Sequence, residues 1–249
     1  MYNFYQKEPF NFSLILIGIY CLLQSLGNGI SGFLGIPKSA NAVLALIQSI
    51  FLLWWLHKYG LFKTFRLEKP TQPAKHLGYY LPLILISSFN LWLGIRGNLS
   101  PTALIFHILL MLCVGFLEEL LFRGFLFEAL RKENPRTATV VSSLTFGIGH
   151  ILNLFNGSGM DLRAVMVQIV FAVLLGYLFV TLYLRSGSLL SCIFSHQAIN
   201  ILSAFADHEA SGVRLMTVNL AEIFLILLYL VFLLKMAPVQ NPEDGRESN

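Results

Sequence analysis

Charge is what this sequence has least of. Only 12% of its 249 residues are Asp, Glu, Lys or Arg, against about a quarter in an ordinary soluble domain, while 56% are hydrophobic and the mean hydropathy is +0.69. So little polar side chain cannot cover a water-soluble globule, and long uncharged runs of about 20 residues belong in lipid. Cysteine is also scarce. Cys21, Cys113 and Cys192 each stand alone in an apolar run; with no Cys-x-x-Cys pair and an odd count, a disulfide framework is excluded and the three read as small buried hydrophobes. No tract interleaves basic and aromatic residues, so a nucleic-acid partner is not expected. No internal repeat is visible, and the loops are too short for a second domain.

What is present is a succession of apolar runs. Eight spans are expected, at about 10–34, 41–57, 77–95, 102–130, 137–155, 162–184, 187–206 and 216–235, giving a single all-α membrane domain over residues 1–249. Pro37, Pro70, Pro73, Pro101, Pro135 and Gly187 punctuate the boundaries. Pro82 falls inside the third span, where a kink is tolerated. The second and fifth spans are short enough to be re-entrant or tilted. The run after Pro9 continues to about Gly35, longer than the ~7–15-residue core of a cleaved signal peptide, and is read as the first membrane helix. Within it Gly27, Gly29, Gly32 and Gly35 form a stripe expected to let a neighbouring helix approach. The stretch from Pro238 to Asn249 is a polar tail, expected to be disordered.

Lys and Arg fall unequally on the two sides of these spans. Twelve, among them Lys58, Lys63, Arg66, Lys69, Lys75, Arg131, Lys132 and Arg136, lie on one side, and only Lys38, Arg96, Arg163 and Arg214 on the other. Positive charge favours the cytosol, which places both termini there.

Ionisable groups inside a span cost at least a few kcal/mol each and normally carry function. Here they cluster in three places. In Glu118-Glu119-Leu120-Leu121-Phe122-Arg123, Glu119 and Arg123 share a helix face and can pair, while Glu118 points ~100° away and is free to face a cavity. In Phe146-Gly147-Ile148-Gly149-His150, Phe146 lies one turn before His150 and can brace its ring. Asn153, one turn later, can hold the imidazole tautomer or line the cavity, and the glycines admit a close neighbour. In the third cluster His196 and Asn200 project from one face. At 1.5 Å per residue, His150 lies ~20 Å, His196 ~14 Å, Asn200 ~20 Å and Glu118 ~18 Å from the cytosolic ends of their spans. The four thus sit at similar depth.

A carboxylate kept partly from water gains proton affinity and suits a general base. Imidazole and amide groups beside it can position water and donate to an oxyanion. No Ser or Cys stands in a nucleophile motif, which favours direct attack by water. One Glu and two His also resemble a hydrolytic zinc ligand set, yet neither His-Glu-x-x-His nor His-x-x-Glu-His occurs. Metal-bound and Glu-activated water both remain open at this point.

Glu-Glu-x-x-x-Arg at Glu118 to Arg123, Phe-x-x-x-His at Phe146 to His150 and His-x-x-x-Asn at His196 to Asn200, in that order and each in an apolar span, resemble the CAAX-processing and bacteriocin-processing (CPBP, Abi) family of intramembrane endopeptidases. This family includes the Ras-converting CAAX endopeptidases. Gly124-Phe125-Leu126 and Gly187-Ser188-Leu189 strengthen the likeness, which covers about residues 101–206. The resemblance implies about eight helices around a polar catalytic cavity, with Glu118 as general base, His150 its partner on the water, and His196 and Asn200 on the oxyanion. Glu119 and Arg123 would hold the helix geometry. It implies either no cofactor or one divalent metal, zinc, on Glu118, His150 and His196. The implied partner is a peptide or protein substrate at the lipid bilayer of a cell, here bacterial, as in bacteriocin maturation. Two rivals are a non-catalytic immunity or peptide-binding membrane protein and an ion-coupled carrier; the second is disfavoured because no paired halves are visible.

Overall fold

The computed structural model describes residues 1–70, 78–96, 100–156, 159–207 and 212–236. The polar tail, Pro73 and Lys75 lie outside the described residues. Apart from one isolated bridge between Ile95 and Ala206, regular structure among the described residues is helical, as expected for backbone whose hydrogen bonds must close internally in lipid. The helices are α1 (Tyr2–Lys7), α2 (Pro9–Leu34), α3 (Ser39–Lys58), α4 (Leu81–Ser88), α5 (Pro101–Glu119), α6 (Glu128–Arg131), α7 (Pro135–Gly149), α8 (Leu162–Ser186), α9 (Leu189–Ser203) and α10 (Gly212–Met236).

Among the described residues, six helical stretches are long and apolar enough to cross a membrane: Pro9–Leu34, Ser39–Lys58, Pro101–Arg131, Pro135–Leu154, Leu162–Ser186 and Val213–Lys235. The chain is a multi-pass membrane protein. The third and seventh of the eight expected spans are shorter apolar helices, Gly78–Leu91 and Leu189–Ser203. Pro82 does not kink the former; it sits in the first turn of α4, where its missing N–H has no intrahelical partner to lose. The two short helices pack together. Asn90 Nδ2 donates to the Ile199 carbonyl at 2.9 Å, and Arg96 N donates to Phe205 O at 2.9 Å just beyond.

The termini of the helices follow from local chemistry. Ser100, Asn134, Asp161 and Ser188 each cap the helix that follows with a side-chain oxygen, and left-handed Gly35 and Gly187 close α2 and α8. The expected fourth span is not an unbroken α-helix. After Glu119 it widens into a π-helix over Leu120–Phe127, every residue of which is buried, before α6 resumes. Such widenings commonly mark functional sites.

The core wraps this π segment. Phe125 meets Phe65 at a centroid distance of 4.5 Å and Phe12 at 5.5 Å. Leu189 N donates to Arg66 O at 2.9 Å, and the Ser188 hydroxyl donates to Glu68 O, so the segment after α3 is pinned against the start of α9. Two glycines set the contacts that matter for the site. A Cβ at Gly115 would stand 2.6 Å from Gln197 Cγ, and one at Gly27 would stand 2.9 Å from Asn41 Nδ2. The first lets α9 press on α5, the second lets α3 press on α2. The expected glycine stripe is therefore realised at Gly27 alone; nothing lies within 4 Å of a Cβ at Gly29, Gly32 or Gly35.

Candidate active site

Glu118 and Glu119 end α5 and are both buried. Being adjacent on a helix they face different neighbours, and the structure gives each its own set. Arg123 Nη1 donates to Glu119 Oε1 at 3.0 Å, with both side chains fully buried. The guanidinium is also layered between rings, 4.3 Å from the centroid of Phe146 and 5.4 Å from that of Phe179. Such cation–π contacts gain strength when desolvated.

His196 of α9 reaches both carboxylates. Its Nδ1 lies 2.7 Å from Glu119 Oε1, and its Nε2 lies 3.6 Å from Glu118 Oε2. A Glu119 paired with Arg123 is an acceptor only, so the Nδ1 proton points to it. That leaves Nε2 to face Glu118, at a distance slightly beyond a direct hydrogen bond. The close approach of α9 at Gly115 and the bond from Gln197 Nε2 to Leu112 O, 2.7 Å, hold the helix that carries this ring.

On its other side Glu118 accepts a hydrogen bond of 2.6 Å from the hydroxyl of Tyr20. Side-chain contacts therefore run from Arg123 through Glu119, His196 and Glu118 to Tyr20, joining α5, α9 and α2. Tyr20 was missed in the sequence because a single tyrosine in an apolar helix has no spacing partner to mark it.

Glu118 and Tyr20 open onto a cavity of about 100 Å³ that is also lined by Cys21, Gln24, Phe146, His150 and Asn153, room for several water molecules. His150 begins the 3-10 turn His150–Leu154 that follows α7. Phe146 stands edge-on to both imidazoles, 5.6 Å from His150 and 5.8 Å from His196, so it separates and braces them. Asn153 Nδ2 donates to Gln168 Oε1 at 2.8 Å, and Asn153 Oδ1 accepts from Asn156 at 3.0 Å. Gly147 admits Val173 of α8, while Gly149 lines the cavity. Cys21, expected to be plain packing, forms part of the wall.

The structure thus brings Glu118, Glu119, Arg123, Phe146 and His196 into contact, with His150 and Asn153 on the same cavity as Glu118. It does not bring Asn200 there. Asn200 is absent from the cavity lining, and its backbone carbonyl accepts from the Ser203 hydroxyl at 2.6 Å. His196 also lies behind Glu118, not on the wall. Among the described residues, no three His, Cys, Asp or Glu side chains form a group able to hold a metal ion. Of the zinc set expected from sequence, Glu118 accepts from Tyr20 through Oε1 and His196 directs Nε2 to Glu118 Oε2 at 3.6 Å, while His150 is not gathered with them into a ligand group. The three side chains as placed do not fit a three-ligand zinc site.

These features define a polytopic membrane protein with a buried carboxylate and imidazole array beside a cavity of about 100 Å³. Residues 100–202 match the family described as Type II CAAX prenyl endopeptidase Rce1-like, the family that the three motifs pointed to. The match contains Glu118, His150, His196 and Asn200 and leaves α1–α4 outside it. No curated protein and no solved structure matches the chain.

Proposed function

We propose that the protein is an intramembrane endopeptidase in which Glu118 activates a water molecule for attack on a peptide carbonyl. The observation that carries this reading is the placement of Glu118 between Tyr20 and His196, on a cavity it shares with His150. The family match supports peptidase chemistry.

In this reading water sits between Glu118 and His150. Glu118 takes its proton as the oxygen attacks, and the same proton then passes to the departing amine. His150 orients the water. Glu119 and Arg123 act through His196: the buried pair fixes its Nδ1 and so the direction of Nε2 toward Glu118. Asn200, expected on the oxyanion, is not on the cavity wall and takes no part in this step. The substrate is a peptide or membrane-associated protein reached from the bilayer, and both termini face the cytosol, the side with more Lys and Arg.

The test is cleavage of a fluorogenic peptide library by the purified full-length protein in nanodiscs, compared with Glu118→Gln. This change keeps shape and removes the base. Loss of all cleavage above background is expected; a Glu118→Gln protein as active as the wild type would remove Glu118 from the chemistry and return the protein to a peptide-binding or immunity role.

A further inference from the structure

A second cavity, of about 410 Å³, lies at the end of the molecule where α2 begins and α3 and α6 end. It is larger than the one beside Glu118 and falls within the ~300–1,000 Å³ usual for small-molecule sites. Tyr2, Tyr5 and Gln6 of α1, Tyr59 and Thr64 after α3, and Lys132 after α6 supply its polar wall. All but Lys132 lie outside the family match. The mechanism above uses none of them.

The wall is firmly built. Tyr2 stacks on Tyr59 with ring centroids 4.2 Å apart and planes within 3° of parallel, which fastens α1 to the end of α3. Tyr5 is packed against Trp55 at 5.7 Å, Phe65 at 5.9 Å and Phe125 at 5.9 Å. Gly60 turns the chain at φ +63°, and Leu61 N donates back to Leu56 O at 2.9 Å, so the turn that leads to Thr64 is fixed.

The chemistry of this wall is one-sided. The hydroxyls of Tyr2, Tyr5, Tyr59 and Thr64 and the ammonium of Lys132 have no hydrogen-bond or ion-pair partner among the described residues. The Tyr2 and Tyr5 hydroxyls are within reach of solvent. Burial pushes the Tyr5 phenol up, so it stays a donor at neutral pH. No described Asp or Glu lines the cavity. Glu8 accepts from Asn11 at 3.1 Å, and Glu128, whose charge reaches Tyr5, is held by Arg131 at 3.1 Å and Tyr183 at 2.7 Å. Glu133, next to Lys132, is exposed and not in the wall. Lys58 adds positive charge, with Nζ 5.6 Å from the Tyr59 ring centroid. Donors and positive charge with no acceptor group of opposite sign suit the oxygens of a phosphate. A cationic headgroup finds Lys132 in the wall and Lys58 already over the Tyr59 ring.

Position supplies the rest of the ligand. The cavity adjoins the ends of the spans Pro9–Leu34 and Ser39–Lys58, at the level where lipid headgroups lie and Tyr and Trp collect. It is on the side richer in Lys and Arg. Exposed apolar side chains follow along both helices, Phe10 and Leu14 on α2 and Phe51 and Trp54 on α3, a surface for acyl chains.

We propose that this cavity binds the phosphate headgroup of an anionic glycerophospholipid, with Lys132 taking its charge and the Tyr2 and Tyr5 hydroxyls donating to its oxygens. The site is separate from the one that holds Glu118, and its occupancy is read by binding, whatever the outcome for peptide cleavage.

The test is native mass spectrometry of the purified, delipidated full-length protein in neutral detergent, titrated with dioleoyl phosphatidylglycerol. Dioleoylglycerol, with the chains and no phosphate, and glycerol 3-phosphate, with the phosphate and no chains, are titrated in parallel. Wild type is compared with Lys132→Gln, with Tyr2→Phe/Tyr5→Phe, which keeps both rings, and with Lys69→Gln, an exposed lysine on the same side but outside the wall. Thermal unfolding without lipid checks that each variant is folded; Lys132 is exposed, so its variant decides the matter even if the tyrosine variant unfolds. The first phosphatidylglycerol is expected to bind at least about 10-fold more tightly than either fragment. Lys132→Gln and the tyrosine variant should each weaken it about 5-fold or more, and Lys69→Gln less than about 2-fold. Glycerol 3-phosphate that binds as tightly as the lipid makes this a soluble-phosphate site, and dioleoylglycerol that does so leaves only an apolar surface. Lys69→Gln that loses as much as Lys132→Gln leaves only general surface charge. Each of these results overturns the proposal, as does a folded Lys132→Gln or tyrosine variant that binds the lipid like the wild type.

Discussion

The Tyr20 hydroxyl and Glu118 Oε1 are 2.6 Å apart, a contact between positions 98 residues apart in sequence. The bond ties α2 to the carboxylate on which the proposed chemistry depends. It also selects which carboxylate oxygen is left for water. Tyr20→Phe removes the donor and little volume. It should cost about 1.5–3 kcal/mol of stability, as for a hydrogen bond to a charged group, and lower kcat about tenfold or more with KM nearly unchanged. Steady-state kinetics on the library peptide beside thermal unfolding would show this; an unchanged kcat in a destabilised protein would reduce Tyr20 to a packing residue.

Glu119 and Arg123 are fully buried and paired, so removing one alone strands the other. Arg123→Ala should lower stability by about 3–5 kcal/mol and depress yield. The double variant Glu119→Gln/Arg123→Met removes both charges and should recover much of the stability. It should stay inactive all the same, because His196 Nδ1 loses its anionic acceptor. An active double variant would show that the pair serves folding alone.

Gly115 lies where α9 presses on α5, and a Cβ there would also stand 3.1 Å from the Gln197 backbone nitrogen. Backbone cannot yield as a side-chain tip can, so Gly115→Ala should push α9 outward and draw His196 off Glu119. Activity should fall by more than tenfold, more than stability alone explains. Gly29→Ala, with nothing within 4 Å, is the matched control and should leave activity unchanged. Equal behaviour of the two variants would dissociate the helix contact from the site.

The proposed activation of water by Glu118 also predicts how the protein responds to metal removal. Dialysis against a chelator should leave cleavage within about 2-fold of the untreated protein, and metal analysis of the active preparation should find less than one equivalent of zinc. Loss of activity restored by zinc would overturn the metal-free activation of water by Glu118.

Much of the site was legible because its parts repeat at helical spacing. Glu119 and Arg123 four apart, and Phe146 and His150 four apart, announced one face each, and both pairs are in contact in the structure. Burial of charge in apolar runs marked the same positions. What was not legible came from tertiary contact. Tyr20 and Gln24 are ordinary in α2 until α5 and α3 are packed against them. Asn200 shares a sequence stripe with His196, yet that stripe is not the cavity wall, because α9 approaches with His196 toward Glu119. Helix length was hidden for a similar reason: hydropathy over 77–95 and 187–206 does not reveal where a helix stops. The widening after Glu119 has no sequence period of its own, and the α-helical spacing assumed through it was replaced by a π-helix.

The shortness of α9 has a consequence for supply of the second reactant. Its 15 residues rise ~22 Å, whereas the hydrocarbon layer is ~30 Å thick. Where α9 crosses the bilayer, the shortfall of ~8 Å is met by local thinning or by a recess that admits solvent. A hydrolytic centre sunk in lipid needs such an inlet, and here the dip would open beside the helix that carries His196.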